Sequence, residues 1–158
     1  IINLRGESTK GYYLLEKEAC EAAGIALVDF QVFSRDTPKV ETIEAAQVLF
    51  EDIAYPALMH CKSGADRAGL MSALYMIFRR QMPVAKAAEQ LSGRFLHVKS
   101  GKTGMLDAFF ATYLEETADS AKPFMKWVRE DYDPAAVKAE FMKRLGNRFQ
   151  WDRLLRRE

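Results

Sequence analysis

The chain has 158 residues, of which 49% are apolar and 28% charged, the composition of one ordinary globular domain; a disordered, collagen-like or low-complexity scaffold is excluded. Lys and Arg number 23 against 22 Asp and Glu, so a net charge of +1 gives no bulk attraction for nucleic acid. No apolar run approaches the roughly 20 residues needed to span a bilayer.

In chain order, Ile1-Ile2-Asn3-Leu4 is a short apolar run that reads as a strand. Ser8 or Thr9 is expected to cap a helix running to Ala23, with Gly24 as its stop and Tyr12, Leu15, Ala19 and Ala22 on its apolar face. Residues 25–33 are rich in Val, Ile, Leu and Phe and read as a second strand. A polar loop, Ser34-Arg35-Asp36-Thr37-Pro38, leads into an amphipathic helix over 39–53 through Val40, Ile43, Ala46, Leu49 and Phe50. Ala57-Leu58-Met59-His60 is a buried strand that runs into Cys61, and after a tight polar turn an apolar helix covers 67–80. Pro83 starts another helix to Leu91, a basic loop spans 94–102, and helices are expected over 103–116, 123–130 and 134–145. Strand, helix, strand, helix, strand, turn, helix predicts an α/β fold: a small, mostly parallel sheet flanked by helices, in a single domain spanning 1–158. Because the chain starts at Ile1, an N-terminal piece is expected to be missing.

The chemistry concentrates in His60-Cys61-Lys62-Ser63-Gly64-Ala65-Asp66-Arg67-Ala68-Gly69, where a buried strand gives way to a helix. That junction aims backbone N–H groups and a helix N-terminus at one point, which makes an anion site from residues 62–67. Gly64 lets the backbone turn around the point. A thiolate at Cys61 is stabilised by this field, and Arg67 can offer a planar fork to two phosphoryl oxygens. A nucleophilic sulfur on the floor of a phosphate cradle attacks phosphorus, and a nearby carboxylic acid must then protonate the leaving oxygen.

His60-Cys61-x5-Arg67 with a central Gly64 and a trailing Ala68-Gly69 resembles the signature loop of the cysteine-dependent protein tyrosine phosphatases, in particular compact bacterial members of the dual-specificity-like branch. The similarity in element order runs from Ile1 to about Gln81. The resemblance implies Cys61 as nucleophile, Arg67 as phosphate clamp, and Lys62, Ser63, Gly64, Ala65 and Asp66 as the rest of the phosphate loop. It implies a general acid on an earlier loop, for which Asp36 is the first candidate, with Asp29 and Asp66 as rivals. It also implies phosphotyrosine in protein as substrate, with phosphoserine or phosphothreonine as further possibilities, and no metal or other cofactor.

Two features depart from the pattern. Ala68 stands where a Ser or Thr hydroxyl usually helps the sulfur leave, so slow hydrolysis of the phosphocysteine is expected, or another donor in its place. Lys62 follows the cysteine as in related lipid phosphatases. With the basic loop, it keeps a phosphorylated lipid or sugar as the alternative substrate, and Ala68 keeps a low-turnover phosphate-binding module as a second alternative.

Elsewhere the readings are plainer. Cys20 on a helix is structural, and His97 packs a core or loop. Lys99-Ser100-Gly101-Lys102-Thr103 is close to the end of a Walker loop, but Leu96 occupies the place of that motif's first glycine, so nucleotide binding is rejected. Lys99 and Lys102 are instead possible walls of the substrate cleft. In 141–157, Lys143, Arg144, Arg148, Arg153, Arg156 and Arg157 interleave with Phe141, Leu145, Phe149, Trp151, Leu154 and Leu155. This segment is expected to dock on its own domain, with membrane-surface contact as the lesser alternative. A cytoplasmic monomer acting on a phosphorylated protein or a small anionic phosphate ester, without nucleic acid, is the resulting expectation.

Overall fold

The computed structural model describes the backbone of residues 1–120 and 122–155, and the side chains up to residue 146 except that of 121. Three short strands, β1 (Ile2–Asn3), β2 (Val28–Asp29) and β3 (Met59–His60), form a parallel sheet in the order β2-β1-β3. The register pairs Ile2 with Val28 and Met59, and Asn3 with Asp29 and His60. The expected second strand over 25–33 is thus a two-residue ladder, although Phe30 and Val32 go on donating to the Asn3 and Leu4 carbonyls at 3.0 and 3.2 Å. Parallel strands need crossovers, and the helices α1 (Gly11–Ala22) and α2 (Val40–Asp52) supply them.

After β3 the chain is helical among the described residues: α3 (Asp66–Arg80), α4 (Val84–Ala87), α5 (Met105–Glu116), α6 (Phe124–Glu130) and α7 (Pro134–Leu155), with short 3₁₀ turns between α4 and α5. α3 is the central helix, burying Leu70, Met71, Ala73 and Leu74 in one core with Ile2, Leu4, Ile43, Phe50, Leu106 and Phe109. Gly69 permits its close approach to the turn after α4: a Cβ there would meet Leu91 Cδ2 at 3.0 Å and the Gln90 carbonyl at 3.1 Å. Phe109, Phe110, Phe124, Trp127 and Tyr132 form the aromatic part of the core, with ring centroids 4.8–6.4 Å apart. Among the described residues no helix is long and apolar enough to cross a membrane.

Further sequence expectations change here: the helix expected from Pro83 to Leu91 is α-helical only over Val84–Ala87 and goes on as a 3₁₀ turn over Ala88–Gln90. The first helix begins at Gly11 without a side-chain cap and buries Tyr13 and Cys20, while Tyr12 and Leu15 lie on the surface. Tyr12-Tyr13-Leu14-Leu15 puts apolar residues all round the helix, so spacing alone does not choose a face. A polar contact favours it: Tyr13 Oη donates to Asp29 Oδ2 at 2.6 Å, whereas Glu16 Oε1 lies 2.6 Å from His60 Nε2 without the geometry of a hydrogen bond. The last helix, expected over 134–145, continues to Leu155; Gly146 does not stop it. The side chains of Arg148, Phe149, Trp151, Arg153, Leu154, Leu155, Arg156 and Arg157, on which the expected docking of the tail depends, lie outside the described residues.

α7 and the turn before it strap the loop that follows β2. Tyr132 Oη donates to the Pro38 carbonyl at 2.8 Å in a buried bond, Thr37 Oγ1 donates to the Pro134 carbonyl at 2.9 Å, and Lys138 Nζ lies 3.0 Å from Asp36 Oδ1. Burial pushes the Tyr132 phenol well above its ordinary pKa, so the hydroxyl remains a donor through the neutral range.

Candidate active site

Three connections leave the carboxyl ends of adjacent parallel strands, the edge at which open α/β sheets hold ligands. β3 ends at His60, and the next residue, Cys61, opens the turn into α3. Gly64 makes that turn at φ +72°, in the left-handed region, with no atom within 4 Å of the place a Cβ would take. A larger side chain would fit the space there but not the backbone conformation, so the glycine serves conformation alone.

α3 starts without a side-chain cap; its N-cap position is Ala65, and the first helical bond runs from the Gly69 amide to the Ala65 carbonyl at 2.8 Å. The amides of the first turn are therefore left for another acceptor. Cys61 supplies it for Ala68, and the Ser63 and Gly64 amides of the loop before α3 reach the same sulfur. Burial pushes the Cys61 thiol up, but the amides of Ala68, Ser63 and Gly64 and the nearby Arg67 charge outweigh this and hold it below the ordinary thiol value. Donors and a cation converging on one sulfur stabilise negative charge there, which is what a nucleophilic thiolate needs.

Arg67 also lines a cleft of about 350 Å³ with Val32, Phe33, Ser34, Arg35 and Asp36. The structure thus brings Arg67 and Asp36 to one cleft and the Ser63, Gly64 and Ala68 amides to Cys61. Lys62 is exposed at the turn and Ala65 is buried. The hydrogen bond from Lys138, helped by the Thr37 amide and opposed by partial burial, holds the Asp36 carboxyl below its ordinary value.

The other two candidate carboxylates have partners of their own. Asp29 accepts from Asn3 Nδ2 at 2.8 Å and from Tyr13 Oη at 2.6 Å. The Tyr13 phenol is pushed up to about 12, first by that bond. Asp66 Oδ1 lies 2.8 Å from His97 Nδ1. His60 sits with Nδ1 3.4 Å from the Cys61 carbonyl and Nε2 beside Glu16. Cys20 is a buried free thiol. Lys99 pairs with Asp107 at 2.9 Å and lines a different cavity, of about 440 Å³, with Met76, Met82, Arg94 and Phe95. Within that cavity Lys86 is paired with Glu89 at 2.7 Å. Lys102 is exposed at the start of a 3₁₀ turn.

Sequence reasoning does not find Lys138, Glu16 or the partners of His97. Lys138, Glu16 and Asp66 act across long stretches of chain, Asp107 lies 10 residues from His97, and no local motif signals any of them.

A family model described as a DSP-PTPase phosphatase fused to NAD+ kinase matches residues 1–121, and the chain belongs to this family. No curated protein and no solved structure matches the chain.

Alkylation by iodoacetamide reads the site without any substrate. Cys61 is expected to react at a pH below the ordinary thiol range while buried Cys20 stays inert, and Arg67→Met is expected to move the Cys61 midpoint upward; peptide mapping after alkylation across a pH series checks both.

Proposed function

From membership of that phosphatase family, we propose that the chain hydrolyses phosphate monoesters through a phosphocysteine on Cys61, with phosphorylated tyrosine, and secondarily serine or threonine, of proteins as its substrates. The observation that carries this reading is the convergence of the Ser63, Gly64 and Ala68 amides and the Arg67 charge on one sulfur. The thiolate attacks phosphorus, the S–P bond forms and the P–O bond to the leaving group breaks. Arg67 and the loop amides hold the equatorial oxygens as charge develops on them. Protonated Asp36 gives its proton to the leaving oxygen. Water then attacks phosphorus, Asp36 takes a proton from it, and the thiolate leaves.

Placement in the Arg67 cleft favours Asp36 over Asp29 and Asp66 as the acid. Its pairing with Lys138 favours the ionised form, so a dianionic phosphate entering the cleft has to draw the proton back. Ala68 contributes no hydroxyl, but its amide is among the donors on the departing thiolate. A second reading, a phosphorylated lipid or sugar as substrate, has its own support. Arg35 and Arg67 both line the cleft. The Tyr12 phenol is held below its ordinary value first by its bond to Ser8 and then by the charges of Arg5, Lys10 and Arg67, so cations gather on this side of the loop. Parallel assays on phosphopeptides and on soluble inositol phosphates separate the two.

Cys61→Ser is expected to abolish turnover of an aryl phosphate while inorganic phosphate still binds, as followed by calorimetry; substantial residual turnover contradicts the thiol mechanism.

Asp36→Asn is expected to remove the basic limb of the pH–rate profile and to cut kcat by about 10²–10⁴-fold. Lys138→Met removes the group that holds the Asp36 carboxyl down, so the basic limb moves to higher pH. An unmoved limb in Lys138→Met, measured over the same pH range, places the acid elsewhere.

A further inference from the structure

We propose that His97 is a positioning residue for the phosphate loop: it clasps the first residue of α3 to α5 and so fixes where Arg67 and the Ser63, Gly64 and Ala68 amides point. The inference rests on the phosphatase reading above and adds a residue to its machinery.

The His97 side chain is wholly buried, yet both ring nitrogens face carboxylates. Nδ1 lies 2.8 Å from Asp66 Oδ1 and Nε2 lies 2.6 Å from Asp107 Oδ2. Lys99 Nζ occupies the other Asp107 oxygen at 2.9 Å. An imidazole satisfies two carboxylate acceptors when both nitrogens donate, and such charge-assisted bonds are the strong, directional kind. A residue that merely filled core volume would need neither.

The loop that delivers His97 is built at a conformational cost. Leu96 has φ +63°, a left-handed backbone unfavourable for a bulky side chain, while that side chain is 76% exposed and gains little by packing. The turn therefore serves the next residue. The His97 amide donates to the Ser92 carbonyl at 3.1 Å, and Thr103 Oγ1 donates to the Val98 carbonyl at 2.7 Å. Gly104 closes the loop where a Cβ would fall 2.3 Å from the Lys99 carbonyl oxygen.

The clasp ends on the residue directly before Arg67. Asp66 lies in the first turn of α3, where an unrestrained carboxylate would compete with an incoming phosphate for the same amides. Held by His97, it leaves those amides to Cys61 and the phosphate, and it anchors the backbone from which Arg67 projects.

The test uses near-isosteric variants that reproduce one arm each. His97→Asn places an amide donor near the position of Nδ1 and keeps the Asp66 arm. His97→Gln places one near Nε2 and keeps the Asp107 arm. Three readouts are followed on the full chain: kcat and KM for an aryl phosphate, the pH midpoint of Cys61 alkylation, and the thermal midpoint. His97→Gln and His97→Ala are expected to lower kcat by about 10- to 100-fold with a much smaller change in KM, and to raise the alkylation midpoint. His97→Asn is expected to restore both toward wild type. Equal impairment of the Asn and Gln variants, or an unmoved alkylation midpoint with a lowered thermal midpoint, overturns the proposal and leaves His97 a packing residue. A wild-type chain without turnover overturns the phosphatase reading, and the alkylation contrast then decides the clasp by itself: a midpoint raised in Gln but not in Asn supports it, and no contrast overturns it.

Discussion

The structure turns on an uncapped helix. The start of α3 has no side-chain cap, and the Ala68 amide of its first turn joins the Ser63 and Gly64 amides of the preceding loop on the sulfur of Cys61. Burial alone would raise that thiol's pKa and silence it; three amides and one guanidinium reverse the sign. Everything nearby maintains this balance. β3 delivers Cys61 to the sheet's carboxyl edge, the left-handed Gly64 turns the chain, and the buried face of α3 fixes the helix against the core.

The sheet is small, with two-residue ladders, and cannot position a site by itself. Polar ties complete the work. Asn3 at the centre of the sheet donates to Asp29 and to the Gly6 carbonyl, which fixes the connection after β1. Tyr132, Thr37 and Lys138 fix the connection after β2, and His97 with Asp66 fixes the one after β3. The second of these straps comes from residues beyond 121, outside the segment that matches the family model. The loop carrying Asp36 is thus held by a part of the chain that the family comparison does not cover.

What the sequence discloses follows the range of the interactions. The stretch from His60 to Gly69 is legible because strand end, glycine turn, thiol and helix start lie within ten consecutive residues. The helices α2, α3, α5 and α6 are legible from their apolar spacing, to within a residue or two at their ends. The buried face of α1 is not, because four consecutive apolar residues leave the choice to Asp29 across the fold. His97 looks solitary because its partner Asp66 is 31 residues away, and the straps on the Asp36 loop span 94 and 97 residues. Such pairings carry no local periodicity, so no reading of spacing can reveal them.

The central claim is that Cys61 carries the phosphoryl group during turnover. Rapid acid quenching of the chain with an aryl phosphate, followed by mass spectrometry of the peptide containing Cys61, tests it directly. One added phosphoryl group on Cys61 is expected to appear and decay at rates compatible with turnover, with none on Cys20. Turnover with an unmodified Cys61 at every quench time, or with the label on another residue, would contradict it.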